Sequence, residues 1–472
     1  MIKVNKIYIN GEFVVPHGTE TFDLINPSNN IKIGEVILAD EIDTRKAISA
    51  AKEAFKTFSQ TTVSERIHYL EKLKIAVEKR EQDLINVMIE EYGGTRQFAT
   101  MSNQNTGSWF DSMIEVLQNF KFKRNINTST VQLQPVGVVG IITPWNASNS
   151  SVTSKVVTAI AAGCTVVIKP SEMSGLQTQI LMEAFHDAGL LKGVINFVTG
   201  LGNVVGTELT NNSDVAKISF TGSTVVGKLI AKDAVDTMKR VTLELGGKSP
   251  NVILDDADLN QVIPMAIYGA YMNSGQACIA PTRLLVPQDK LDEINAIAKS
   301  VGEKIVVGLP ENEETNVGPM VSVKQFERVQ NYIKIGLEEG ATLLAGGLGK
   351  PEGLEAGNFV KPTIFTNVKN GMRIAQEEIF GPVLSIIPYK DEEDAIRIAN
   401  DTPYGLAAYI SSSDSERAER VASKIDAGRV CINGFRHDPM VPFGGFKQSG
   451  IGREYGEFGL QPYLETKAIL KE

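Results

Sequence analysis

Cysteine, histidine and cationic excess are all in short supply in this chain, and each shortage removes a class of protein. There are only 3 cysteines, Cys164, Cys278 and Cys431, among 472 residues. Odd in number and far apart, they argue against a disulfide framework and a zinc knuckle, so reduced thiols are expected. The 4 histidines, His17, His68, His186 and His437, sit in unrelated segments without metal-ligand spacing, so none reads as a ligand and no metal is expected. Lys and Arg number 47 against 56 Asp and Glu, a formal net charge of -9. With no basic cluster interleaved with aromatics, nucleic acid and anionic membrane surfaces are disfavoured as partners. No stretch approaches about 18 uninterrupted apolar residues, and Met1-Ile2-Lys3-Val4-Asn5-Lys6 lacks the apolar core of a secretion signal. The expected compartment is therefore the cytoplasm.

What the chain does have is the composition of a globular protein, 42% hydrophobic, at a length that splits into about two or three domains. Ile67, Leu70, Leu73, Val77, Leu84 and Met88 recur at helical spacing. They predict one long packing helix over residues 64–91, with Ser64 as N-cap and Gly93-Gly94 as the stop. Phe120, Phe122, Arg124 and Ile126 alternate, as do Val131 and Leu133 beyond an Asn/Thr/Ser stretch, which predicts a hairpin. From Pro135 onward, short β-branched runs (136–142, 165–168, 194–198, 218–220 and 241–245) are separated by helical stretches. Alternation of this kind gives right-handed βαβ units and a mostly parallel sheet covered on both faces. A second region of similar pattern runs from about 247 to 434, with helices near 291–301 and 326–337.

Parallel sheets bind ligands at the carboxyl ends of their strands. After the five runs come Thr143-Pro144-Trp145-Asn146, Lys169-Pro170-Ser171-Glu172, Gly200-Leu201-Gly202, Thr221-Gly222-Ser223-Thr224 and Gly246-Gly247. Lys169 and Glu172 suit a ribose diol, or equally a solvated helix start. Gly-Ser-Thr opening a helix offers N–H donors and a positive dipole end to a pyrophosphate. The glycine run from Gly200 to Gly206 is one residue longer than the usual dinucleotide fingerprint, and alone is only a tight connection.

Two further residues carry chemistry. Cys278 lies in Gly275-Gln276-Ala277-Cys278, and Glu244 in Leu243-Glu244-Leu245-Gly246-Gly247-Lys248. A thiol of ordinary pKa is only a few per cent thiolate at neutral pH, so a catalytic cysteine needs a base and a favourable setting. Gly275 and Pro281 flank a turn that would present the sulfur beside backbone N–H groups. By itself the cysteine also fits a small buried packing residue near a helix end.

The set of motifs resembles the aldehyde dehydrogenase superfamily over nearly the whole chain. To those quoted above are added Phe220-Thr221-Gly222-Ser223-Thr224 with Gly227, Glu377-Glu378-Ile379-Phe380-Gly381-Pro382-Val383, and Pro442-Phe443-Gly444-Gly445-Phe446-Lys447 with Ser449-Gly450. The resemblance implies an α/β fold in three parts. These are a Rossmann-like nicotinamide-binding domain (1–116 and 136–246), an α/β catalytic domain (247–446), and a small β oligomerisation element (117–135 and 447–472) that makes a homodimer or homotetramer. It implies oxidation of an aldehyde to the acid with NAD, NADP being possible, through a thiohemiacetal and thioester on Cys278. Glu244 would activate the hydrolytic water and Asn146 would donate to the oxyanion. Lys169 and Glu172 would hold the adenosine ribose, and Trp145 and Ser223, with Gly222, Thr224 and Gly227, would lie by the pyrophosphate. Glu378 would grip the nicotinamide ribose beside Phe380, and Thr143, Gly202, Phe220 and Leu245 would line the cofactor further.

Where the family commonly has an aromatic and a proline after the asparagine, this chain has Ala147-Ser148-Asn149-Ser150-Ser151, implying a wider or more hydrophilic substrate tunnel. Arg436 and His437 either meet an anionic substrate end or belong to a solvated loop. Cys164 and Cys431 read as packing residues beside strands. Other readings of the same residues are a CoA-acylating relative, a non-redox cysteine hydrolase, and a catalytically silent descendant.

Overall fold

The five β-branched runs form the parallel core of one sheet, and the region beyond 247 forms a second. The computed structural model describes residues 2–471. In the first sheet, five parallel strands run in the order Arg240–Glu244, Val215–Thr221, Val138–Ile142, Thr165–Lys169, Ile195–Phe197. The chain reverses direction across the sheet between Val138–Ile142 and Val215–Thr221, which opens a crevice at the ends of those two strands. Ile7–Ile9 and Glu12–Val14 extend one edge antiparallel, and Gly450–Ile451 pairs antiparallel with Arg240–Glu244 at the other. Val138–Ile142 and Thr165–Lys169 are buried at every position, as parallel strands covered on both faces must be.

The second sheet places six parallel strands in the order Thr363–Thr366, Val383–Tyr389, Arg283–Pro287, Pro250–Ile253, Ala407–Ser411, Arg429–Ile432, with Thr342–Ala345 antiparallel at one edge. Predicted helices appear as Leu291–Gly302 and Val323–Glu338. The hairpin forms from Lys123–Ile126 and Ser129–Pro135, and Leu464–Ile469 adds a third antiparallel strand. Only that last segment of the tail joins the hairpin, since Gly450–Ile451 belongs to the first sheet.

The long helix over 64–91 is corrected. It is Val63–Glu78, a break at Lys79 and Arg80, then Glu81–Val87 and a wider turn over Met88–Tyr92. Its N-cap is Thr62, not Ser64: the Thr62 hydroxyl accepts from Glu65 N while the Glu65 carboxylate accepts from Thr62 N, a reciprocal box worth more than a single cap. The break coincides with Arg80 pairing with Asp83 and Glu183. Gly93 terminates the run in a left-handed conformation, as predicted.

Helix Ser148–Ala162 is buried over most of its length between the first sheet and the helices Val63–Glu78 and Thr106–Asn119. Val152, Val156, Ile160 and their neighbours fill that layer at 0% exposure, each contributing roughly 1.5–3 kcal/mol of burial. Of its polar residues, Ser150, Ser151, Ser154 and Lys155 line the central cavity, while Asn149 donates to Asn103 Oδ1 and Thr158 to the Ser154 carbonyl.

Candidate active site

A cavity of about 750 Å³ lies between the sheets and is lined by Trp145, Asn146, Glu244, Cys278, Glu378 and Phe380 among others. The thiol reaches it through a forced turn. Helix Leu259–Tyr271 ends in Met272–Gly275, where Asn273, Ser274 and Gly275 all take positive φ. A Cβ on Gly275 would come within 2.3 Å of the Gly381 carbonyl oxygen, so only glycine lets the two loops cross. Side chains hold the strained turn. Ser274 Oγ accepts from Gly318 N at 2.9 Å, Gln276 Oε1 accepts from Val321 N at 3.0 Å, and the Tyr409 hydroxyl donates to Ile279 O at 2.9 Å.

Burial pushes the Cys278 thiol up to about 12, helped by the negative charges of Glu378 and Glu244, while the N–H groups of Cys278 and Ile279 pointing at the sulfur pull the other way. In the protein alone the thiol is therefore protonated near neutral pH, and activation must come from a base or an added positive charge.

Glu244 ends strand Arg240–Glu244, is 3% exposed, and has no hydrogen-bond partner on either oxygen. Burial, and then the charge of Glu454, raise its pKa well above the carboxylate range; Lys155 and Arg453 oppose this. Glu454 forms a buried ion pair with Lys155, whose ammonium also lies 3.3 Å from Ser219 Oγ. These two residues were missed from the sequence. They are 299 positions apart, and no local pattern relates them.

Asn146 Nδ2 donates to Gln276 O at 2.9 Å, tying the amide to the cysteine loop. Asn273 Nδ2 donates to the Asn146 backbone carbonyl at 3.1 Å, and the Tyr92 hydroxyl donates to Asn273 Oδ1 at 2.8 Å. The asparagine is thus held from both ends.

On the far wall, Glu378 Oε1 accepts from Gly247 N at 3.1 Å, and burial raises its pKa. A Cβ on Gly246 would lie 2.4 Å from Glu378 Oε2, so that glycine makes room for the carboxylate. Phe380 takes φ 63 and meets Trp145 edge-on at 5.4 Å between ring centres. Gln325 Nε2 donates to Phe380 O at 2.6 Å, and Arg328 donates to the Glu378 and Ile379 carbonyls. Gly222, Ser223 and Thr224 line the same cavity at the start of helix Thr224–Ala234, which Ser223 caps. The crevice at the strand reversal, that helix N-terminus and the Glu378 carboxylate together fit a dinucleotide.

Of the other expected cofactor residues, Leu245 lines the cavity, whereas Thr143, Lys169, Glu172, Gly202, Phe220 and Gly227 stand outside it. Phe220 is 5% exposed, and its ring packs beneath Gly222. Gly227 lets Leu245 approach the helix. Lys169 is buried and pairs with Glu172 at 3.2 Å. Arg436 does not enter the cavity: its side chain is 86% exposed and faces Asp438. His437 does line it, as do Ser150, Ser151 and Ser154. Among the described residues, no group of three or more His, Cys, Asp or Glu is placed to hold a metal, and no helix is long and apolar enough to cross a membrane.

A thiol and an unpartnered carboxyl thus share one cavity at the carboxyl ends of a doubly wound sheet. The model of the aldehyde dehydrogenase family matches residues 13–469, and the chain belongs to that family. It is 44% identical over 467 residues to a 3-succinoylsemialdehyde-pyridine dehydrogenase of a Pseudomonas species, covering 98% of each chain. It is likewise 44% identical to a putative aldehyde dehydrogenase of Staphylococcus aureus strain USA300, again over 98% of each. Among solved structures, a mutant of aldehyde dehydrogenase C from Pseudomonas syringae, complexed with NAD+ and octanal, superposes with a TM-score of 0.97 at 41% identity, covering 99% of this chain and 96% of that one. The Mycobacterium tuberculosis aldehyde dehydrogenase complexed with NAD+ gives 0.96 at 37% identity, covering 100% and 98%.

Two outcomes follow from the electrostatics. Removing the Glu378 charge by Glu378→Gln lowers the thiol pKa, so alkylation of Cys278 by iodoacetamide at pH 8 without cofactor speeds up severalfold; an unchanged rate would show that the charge does not reach the sulfur. Glu244 also shapes stability. The unfolded chain loses this proton near the ordinary carboxylate value while the folded chain retains it, so folding stability falls as pH rises through that window. Glu244→Gln removes the fall, and its melting temperature exceeds the wild type's by more at pH 8 than at pH 4. A buried group without partners costs roughly 1–3 kcal/mol, which calorimetry resolves.

Proposed function

We propose that the chain oxidises an aldehyde to its carboxylic acid with NAD through a covalent route on Cys278. Family membership and the NAD-bound neighbours support the overall reaction. The observation that carries the route is the unpartnered Glu244 carboxyl opening onto the cavity of the Cys278 thiol. An aldehyde carbon is trigonal and a poor hydride donor, and addition of the sulfur converts it to a tetrahedral thiohemiacetal. The oxyanion so formed is stabilised by Asn146 Nδ2 and the Cys278 N–H, each such donor being worth roughly 3 kcal/mol of barrier. Loss of hydride from that carbon to bound NAD would leave a thioester on Cys278, and Glu244 then takes a proton from the water that attacks it, releasing the acid and restoring the thiol. Its raised pKa suits it to hold that proton and return it.

The residues that would hold the cofactor are those the family resemblance implies, and of these Trp145, Gly222, Ser223, Thr224, Leu245, Glu378 and Phe380 line the cavity. Lys169 and Glu172 would meet the adenosine ribose, with Thr143 and Gly202 nearby. The helix opened by Ser223 and Thr224 would meet the pyrophosphate, with Trp145, Gly222 and Leu245 alongside and Gly227 and Phe220 backing them. Glu378 would meet the nicotinamide ribose beside Phe380. Held there, NAD would supply the hydride acceptor. Glu172 near a ribose diol disfavours a 2'-phosphate and so favours NAD over NADP.

Residues 1–116 with 136–246 act as the cofactor domain and 247–446 as the catalytic domain. The hairpin within 117–135 and the tail strand join copies into a homodimer or homotetramer. Strand Lys123–Ile126 is exposed at every position, an open edge that a second copy would cover. Breaking that edge with Arg124→Pro shifts the species seen by light scattering toward monomer, and a wild type that is already monomeric contradicts the assignment.

Cys278→Ser abolishes NADH formation, and retained activity would refute the covalent route. Glu244→Gln keeps a stoichiometric burst of NADH in rapid mixing while steady turnover drops. Equal loss of both phases would put the carboxylate before hydride transfer.

A further inference from the structure

We propose that Arg429 selects the substrate, and that the preferred aldehydes carry a carboxylate at the end remote from the carbonyl. The inference rests on the aldehyde-oxidising reading of the cavity and names its substrate class.

Arg429 begins the last strand of the second sheet, Arg429–Ile432. Val430 packs against the core of that sheet, so strand alternation turns Arg429 and Cys431 to the opposite face. There the guanidinium lines the same cavity as Cys278. Its recorded side-chain hydrogen bond is from Nη1 to His437 Nδ1 at 3.3 Å, and among the described residues it forms no ion pair. The neighbouring acids are already committed. Asp438 takes Arg436 and Met440 N, and Glu454 takes Lys155. A guanidinium offers five donors in a planar fork that matches a carboxylate, and most of them are free here.

The surroundings favour the same ligand. His437 packs edge-on against Trp109 and Tyr455 at 5.1 and 5.7 Å between ring centres. Desolvation among those rings, and then the Arg429 charge, lower the His437 pKa, so the neutral ring accepts the guanidinium's bond instead of repelling it. Helix Ser148–Ala162 contributes Ser150, Ser151 and Ser154 to the cavity wall, with Ser150 Oγ accepting from Trp109 Nε1 at 3.0 Å. Hydroxyls and an unpaired cation suit an ionised tail better than an alkyl one.

The test compares 4-oxobutanoate with butanal, equal in carbon count and different in the tail, as kcat/KM with NAD+ in the wild type, Arg429→Gln and Arg429→Lys. The wild type favours the acid-bearing aldehyde, and Arg429→Gln lowers the acid-to-neutral ratio about tenfold or more, mainly through KM, the range lost with one charge-assisted contact. Arg429→Lys keeps part of the preference. Because the ratio is taken within each protein, a general loss of folded enzyme cancels. A second readout needs no turnover: succinate slows iodoacetamide alkylation of Cys278 in the wild type and not in Arg429→Gln. Turnover of both aldehydes with no acid preference, or a ratio unchanged by Arg429→Gln, overturns the assignment while leaving aldehyde oxidation standing. Protection by succinate that depends on Arg429, without oxidation of either aldehyde, keeps the anion site and removes the oxidative reading.

Discussion

A carboxyl group buried with no protein donor on either oxygen is the constraint around which this protein is built. The two oxygens of Glu244 meet no protein donor, and burial raises its pKa so that the folded carboxyl keeps a proton a solvated one would lose. The fold holds it in place by setting it at the end of a parallel strand whose backbone pairs on both sides, with Val215–Thr221 and Gly450–Ile451. The unmet bonding capacity is then available to a reacting water, which is where a general base is wanted.

The sulfur opposite is managed by the same logic with different means. Three consecutive left-handed residues turn the chain toward the cavity, and the bonds from Ser274, Gln276 and Tyr409 keep them there. Burial thus shifts both reacting groups toward their protonated forms. Rigidity around them, more than any attraction between them, keeps them poised.

Much of this was legible in the sequence because parallel strands leave a local signature and end where ligands bind. The runs ending near Ile142, Ile168, Phe220 and Leu245 match strands within a few residues, and residues after the first, third and fourth of these line one cavity, while Lys169 and Glu172 after the second stand outside it. What escaped was whatever depends on distant meetings. Lys155 looks like any lysine in an apolar helix until Glu454 arrives beside it. Arg436 was read as a candidate for an anionic end and proves exposed, whereas Arg429, set by the alternation of a short strand, lines the cavity and carries no local signal of it. The helix over 64–91 read as continuous because its apolar spacing persists through Arg80, whose pairing with Glu183 lies outside any local window.

The small strand Gly450–Ile451 has a bearing on how such a molecule comes into being. It docks on a sheet edge laid down some two hundred positions earlier and carries Glu454 and Tyr455 into the reaction chamber. During synthesis, then, Cys278 emerges long before the groups that surround Glu244 are in hand. Competence to react arrives late, with closure of the final sheet edge, and a half-made chain has the sulfur but lacks the chamber that would put it to use.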